Sequence, residues 1–290
     1  MSFRSLIAAP AYGAFRIGRA LSGSADPAGS FRALIFHGVT ERQADAFNRL
    51  LDFIENRFGF LTPEDAAGQL DGSAAIGELK AGACLLTFDD GFLSNHEIVA
   101  PILERKGVSA LFFVCPGLVD LQPSEREDAV RRAMFRSSPP PEVEPLMGWD
   151  RIAELRQAGH TIGAHSIDHR RLAGLGAADL AAAIGPDGDR IEQETGRRPD
   201  WFAFPFGDID SVDQAALAKI GRHYRYCRSG VRGLNVAGKS PLAVCADHVD
   251  LDQNFSWHKL AVAGGLWRRY AARRKVLQKY ARDAAQSATP

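Results

Sequence analysis

The stretch Leu85-Leu86-Thr87-Phe88-Asp89-Asp90-Gly91-Phe92 places a run fit for a buried strand directly before two adjacent aspartates and a glycine. Neighbouring carboxylates repel each other, so such a pair is tolerable only where a cation, a proton or a basic side chain neutralises one of them. Similar apolar runs recur at FRALIFH (31–37), SALFFVC (109–115), HTIGAH (160–165), DWFAFPFG (200–207) and PLAVCADHVDL (241–251). Between them lie segments with helical periodicity, such as ADAFNRLLDFIENRF and WDRIAELRQAG, several of which end at glycine. Strands alternating with helices predict a parallel sheet covered by helices. Polar, chemically capable residues stand at the C-terminal ends of these runs: His37, Asp89, Asp90, His165, Asp208, Asp247 and His248. That placement favours a (β/α) barrel, whose loops converge on one site at that edge. The glycine fingerprint of a dinucleotide-binding open sheet is missing.

The 290 residues, 46% hydrophobic and 24% charged, suffice for one large α/β domain. We expect a basic arm over 1–30, the barrel over 31–265 with an inserted excursion at 118–146 rich in charge and proline, and a basic amphipathic helix and tail over 266–290. Lys+Arg and Asp+Glu both number 35, which argues neither for nor against nucleic acid. The distribution is uneven. Residues 1–25 carry Arg4, Arg16 and Arg19 and no acid, and residues 267–283 carry seven cations against Asp283, so an acidic body has basic ends. Cys84, Cys115, Cys227 and Cys245 form no C-x-x-C pair and read as buried free thiols, which suits a reducing compartment. Pro10, Gly13 and Arg16 interrupt the opening apolar patch before a signal-peptide core is complete, so the cytoplasm or the cytoplasmic membrane face is the expected location.

A second stretch, GAHSIDHRRL, holds His165 and His169 at i, i+4, a spacing that on a helical turn lets both imidazoles share one metal ion. Alone the pair is a weak signal. Joined to the aspartates, it makes a set of two histidines and one carboxylate that leaves open positions on a divalent ion. The second aspartate is then free to take a proton from water activated by that ion. A magnesium carboxylate pair of a phosphoryl-transfer enzyme is the competing reading, but no phosphate-cradling glycine loop follows, and two histidines suit zinc better.

TFDDG, followed by GHTIG, H-S-x-x-H and FAFPFGD, resembles the polysaccharide deacetylase family, the NodB-homology domain, over about residues 31–260. The resemblance implies a distorted (β/α) barrel, a divalent metal that is usually Zn2+, and hydrolysis of N-acetyl groups on amino-sugar polymers, with a glycan and not a nucleic acid as partner. It implies Asp89 as catalytic base, and Asp90, His165 and His169 as metal ligands. RALIFHGV resembles the first strand of the permuted branch, which implies His37 as general acid; His248, in LAVCADHVD, sits in a poorer match to the C-terminal acid motif. Pro205, Phe206 and Gly207 are expected to shape the acetyl pocket. Two departures stand out: Ala203 occupies the place of the arginine that orients the base in the commoner branch, and the family's Asp-Trp motif is absent. The alternatives are a hydrolase of a smaller C-N bond, such as a formamido sugar or ureide, and a metal-retaining inactive glycan binder. The stripe Trp267, Tyr270, Leu277, Tyr280 reads as a helix packed on the barrel or as one lying on an anionic membrane, helped by the N-terminal arm.

Overall fold

The computed structural model describes residues 3–23, 25–73, 80–135 and 142–287. Among the described residues seven strands carry the fold: β1 (Phe31–Phe36), β2 (Ala83–Phe88), β3 (Leu111–Val114), β4 (Thr161–Ala164), β5 (Trp201–Ala203), β6 (Tyr226–Arg228) and β7 (Ala246–His248). All pair in parallel in the order β6-β5-β4-β3-β2-β1-β7. The two edges meet through a parallel bridge between Arg228 and Val244, with the Ser229 N–H donating to the Val244 carbonyl at 2.8 Å, so the sheet curls into a nearly closed barrel. Every residue of β1, β2 and β3 is buried, as strands covered on both faces require.

Side-chain alternation divides the core in two. Phe31, Ala33, Ile35, Leu85, Leu111, Phe113, Trp201, Ala203, Tyr226 and Ala246 form one cluster inside the barrel, while Leu34, Phe36, Leu86, Phe88 and Phe112 face the surrounding helices. The inward parity ends at Arg228 on β6 and His248 on β7, and continued past β1 and β2 it leads to His37 and Asp89. The period-2 geometry alone therefore aims these side chains at one mouth, at the C-terminal edge of the strands.

The amphipathic arm preceding β1 is a helix, Phe3–Leu21, with Pro10 inside it. Two features differ from expectation. β6, only three residues long, does not stand out in the sequence as a strand. Residues 166–168 form a turn, not a helical turn. The 118–146 excursion contains the helix Pro123–Met134 and seals a small apolar cluster of Phe92, Cys115, Leu118, Val130, Val143 and Leu146; its residues 136–141 lie outside the described part.

Candidate active site

Asp89 and Asp90 follow β2 immediately, and the chain reverses there: Asp90 has φ 74° and Gly91 φ 77°. His165 follows β4, and His169 sits at φ 59° in the turn beyond it. Among the described residues the non-glycine positions with positive φ are Asp90, Ser166, His169 and Phe206, all at this mouth. Such backbone is sparsely populated and persists where the surroundings over-determine it, as they do at functional sites. A left-handed turn, not a helix, thus brings the two histidines together, with ring centroids 5.0 Å apart.

Asp90 Oδ1 lies 3.5 Å from His165 Nε2 and 3.3 Å from His169 Nε2, and all three residues are buried. The other nitrogen of each ring faces a carbonyl oxygen: His165 Nδ1 lies 2.6 Å from the Ala203 carbonyl and His169 Nδ1 3.3 Å from that of Ala133. An Nδ1–H donating to those carbonyls leaves the Nε2 lone pairs facing the carboxylate, where Asp90 Oδ1 has no hydrogen-bond partner. Burial opposes the charge on Asp90, yet His169 and His165 hold its carboxyl well below the usual range. Burial also depresses His169, but Asp90 outweighs it and raises that imidazole overall. Each shift expresses a demand for positive charge at one point. Two imidazole nitrogens and one carboxylate oxygen, all within 4.8 Å of one another, are a donor set that suits a divalent cation with coordination positions to spare.

Asp89 is not part of that triad. Its Oδ1 accepts a hydrogen bond from Arg228 Nη2, and both side chains are buried. The guanidinium lies over the Phe113 ring, 5.0 Å from its centroid. Ala203 pairs with Arg228 across β5 and β6, so the cation bonded to Asp89 comes from the strand adjacent to the one on which the family's arginine was expected. Reading the sequence alone missed Arg228 because β6 was not recognised; the available signal was an arginine directly after the apolar Tyr226-Cys227 pair and before the turn Ser229-Gly230.

His37 and His248 end neighbouring strands, and their rings lie 5.4 Å apart. Both are exposed at the mouth, beside a groove that they line with Gly38, Val249, Asp250 and Leu251. Loss of solvent around the inner part of the ring, then the charges of His37 and Arg232, push the His248 imidazole down to about 4. Asp247 turns the opposite way and is fully buried, bonded to Arg232 Nη1 at 3.1 Å and Trp267 Nε1 at 2.8 Å. Pro205–Gly207 form the turn after β5; the Phe206 ring stands 4.7 Å from that of His169, and the Gly207 carbonyl accepts from Gly230 N–H at 2.8 Å. The structure thus gathers Asp89, Asp90, His165, His169, His37 and the Phe206 turn at one opening. Asp168 instead pairs with Arg170 outside the cluster, His160 Nδ1 accepts from the Ala110 N–H beneath it, and His96 meets Glu154 on the surface.

Residues 77–224, half of the chain, match the family described as polysaccharide deacetylase. A Bacillus subtilis (strain 168) protein described as a polysaccharide deacetylase, YxkH, is 22% identical over 167 residues; the match covers 58% of this chain, which spans about half (51%) of that relative's length. Among solved structures, a de-N-acetylase from Aggregatibacter actinomycetemcomitans superposes with TM-score 0.61 at 16% identity, over 79% of this chain and 98% of that one. IcaB from Ammonifex degensii gives 0.60 at 21% identity over 83% and 98%. The Streptococcus pyogenes deacetylase PplD gives 0.63 at 16% identity over 81% and 99%. The matched segment contains Asp89, Asp90, His165, His169 and the Pro205–Gly207 turn, whereas His37, Arg228 and His248 lie outside it. The chain belongs to the polysaccharide deacetylase family.

Proposed function

We propose that the chain is a metal-dependent carbohydrate N-deacetylase that hydrolyses N-acetyl groups on amino-sugar residues of an oligo- or polysaccharide. One observation carries the reading: an unpartnered buried Asp90 oxygen faces two oriented imidazoles, beside a second aspartate paired with Arg228 and kept out of that set. Asp90, His165 and His169 would hold a divalent ion, for which two imidazoles and a carboxylate favour Zn2+, and the ion would contribute Lewis acidity toward the amide carbonyl and water.

The chain's own groups account for the proton movements. Asp89 takes the proton of the attacking water as the O–C bond forms. Arg228, bonded to Asp89 Oδ1, fixes that carboxylate in direction. Collapse of the tetrahedral centre breaks the C–N bond, and the leaving amine needs a proton. His37 is the donor in this scheme, as in the permuted branch of the family, because it follows β1 directly beside Asp89, which follows the paired strand β2. Acetate and a free amino sugar are the products. The Pro205–Phe206–Gly207 turn, next to His169, forms the wall against which the acetyl methyl would rest.

The test is a screen of purified protein against N-acetylated and N-formylated glycans of graded length, reading out released acetate or formate. Acetate release that disappears in Asp89→Asn supports the reading. Formate release alone assigns a different C–N bond.

A further inference from the structure

The 118–146 excursion and the residues leading into it bond to both turns that carry Asp90, His165 and His169. Where it leaves β3, Gly117 N–H donates to the Ile167 carbonyl at 2.7 Å and Cys115 Sγ to that of His165 at 3.3 Å. At the end of its helix, Pro123–Met134, the Ala133 carbonyl is one of the last-turn acceptors that no helical N–H satisfies, and it lies 3.3 Å from His169 Nδ1. As the chain returns, Leu93 N–H donates to the Pro145 carbonyl at 2.7 Å and Met147 N–H to that of Gly91 at 2.9 Å, an antiparallel bridge with the segment directly after Asp90. Glu144 Oε1 accepts from the Ser94 N–H at 3.0 Å in the same segment. An apolar cluster ties these pieces together: Val130, only 1% exposed, packs with Phe92, Val143 and Leu146.

Resting on the metal-dependent reading above, we infer that the excursion is a positioning element of the metal site, and that docking of its helix and binding of a divalent ion are coupled. Asp90, at φ 74°, and His169, at φ 59°, hold left-handed backbone that a non-glycine residue keeps only where its neighbours enforce it. The two turns belong to different loops, after β2 and after β4, and the excursion is bonded to each of them. On the His169 side the Ala133 carbonyl takes the Nδ1–H and so leaves Nε2 facing Asp90; the partial negative charge of a helix C-terminus favours an imidazole in contact with a cation. With the helix undocked, the ring loses that bond and can turn its lone pair away from Asp90. Linkage requires the reverse as well: an ion that fixes Asp90 and His169 favours the docked helix by the same factor.

The experiment measures zinc affinity of the full chain by competition with a chelating dye, and hydrogen exchange of the same protein with and without zinc, at labelling times at which β1–β3 have not begun to exchange. In the parent, zinc should slow exchange over Pro123–Met134, a readout that needs no variant and does not involve turnover. Val130→Asp puts a carboxylate into the apolar cluster, and Gly117→Ala adds a Cβ that would meet the Ile167 carbonyl oxygen at 2.6 Å. Each should lower zinc affinity by about ten-fold or more, with circular dichroism showing that the barrel is retained. Asp128→Asn, on the exposed side of the same helix, should leave affinity unchanged. A parent that binds zinc with no change in exchange over the helix, or folded Val130→Asp and Gly117→Ala proteins with parental affinity, overturns the coupling and leaves the metal-dependent reading standing. A parent that binds no divalent ion overturns both.

Discussion

Arg228→Met is the most informative single change. The substitution keeps most of the aliphatic volume over Phe113 and removes the only cation bonded to Asp89 among the described residues. Both partners are buried, Arg228 at 1% and Asp89 at 5% exposure, so the loss leaves a carboxylate without its counter-charge, a change that costs about 3–5 kcal/mol of stability. Asp89 also sits directly beside Asp90, so the unpaired carboxylate must take up a proton or swing toward solvent, and either response removes the base. Loss of general-base catalysis lowers kcat by about 10²- to 10⁴-fold. Arg228→Lys should fall between the two, because an ammonium restores the charge without the planar fork. The assay is steady-state deacetylation with thermal unfolding and metal content measured on the same samples. The account requires metal stoichiometry to survive in Arg228→Met, since Asp90, His165 and His169 are untouched, and the loss to appear in kcat more than in KM. A folded Arg228→Met enzyme with kcat within about three-fold of the parent would refute the positioning role, because a base left unoriented cannot retain its roughly hundred-fold or greater contribution.

Three further predictions follow from neighbouring features. Asp187 is fully buried, accepts from Tyr224 Oη and the Gly185 and Gly188 N–H groups through one oxygen, and is pushed up to about 6, by burial above all. Folding therefore favours its protonated form: its contribution is complete below about pH 4 and is lost as pH rises through about 6, a swing of about 3 kcal/mol that Asp187→Asn should abolish in denaturant titrations. Gly207→Ala places a Cβ 2.8 Å from Gly230 N at φ 65°, so the turn must shift; this strain, about 1–3 kcal/mol, should cut activity at least several-fold with metal content unchanged. His165→Ala removes one of three ligands and should lower metal affinity by several orders of magnitude, read by competition with a chelating dye, while circular dichroism stays near that of the parent.

The sequence revealed most where chemistry and period coincide. LLTFDDGF is an apolar strand with carboxylates at its end, and the barrel places Asp89 and Asp90 there. His165 and His169 were visible as a pair, but the conformation joining them was not: i, i+4 spacing suggests a helical turn, and a left-handed residue at His169 achieves the same convergence. β6 escaped notice because three residues offer no periodicity, and Arg228 escaped with it, since an arginine in isolation reads as surface. Ala203 seemed to leave Asp89 without an orienting partner; in the fold its carbonyl faces His165 Nδ1 and the cation comes from its neighbour across the sheet. Pro10, Gly13 and Arg16 break up the apolar run of the N-terminal arm but not its helix, which passes through Pro10 with the missing N–H on the exposed side. Which of its faces is buried depends on a contact with residues 255–262, more than two hundred positions away, and no local pattern encodes that.

Metal content and turnover measured together on the parent and Asp89→Asn test the division of labour between the two aspartates most directly. The account predicts about one transition-metal ion per chain in both proteins, as one three-ligand site requires, with turnover in the parent alone. Loss of the metal in Asp89→Asn, retained turnover in that variant, or activity supported by magnesium alone would contradict it.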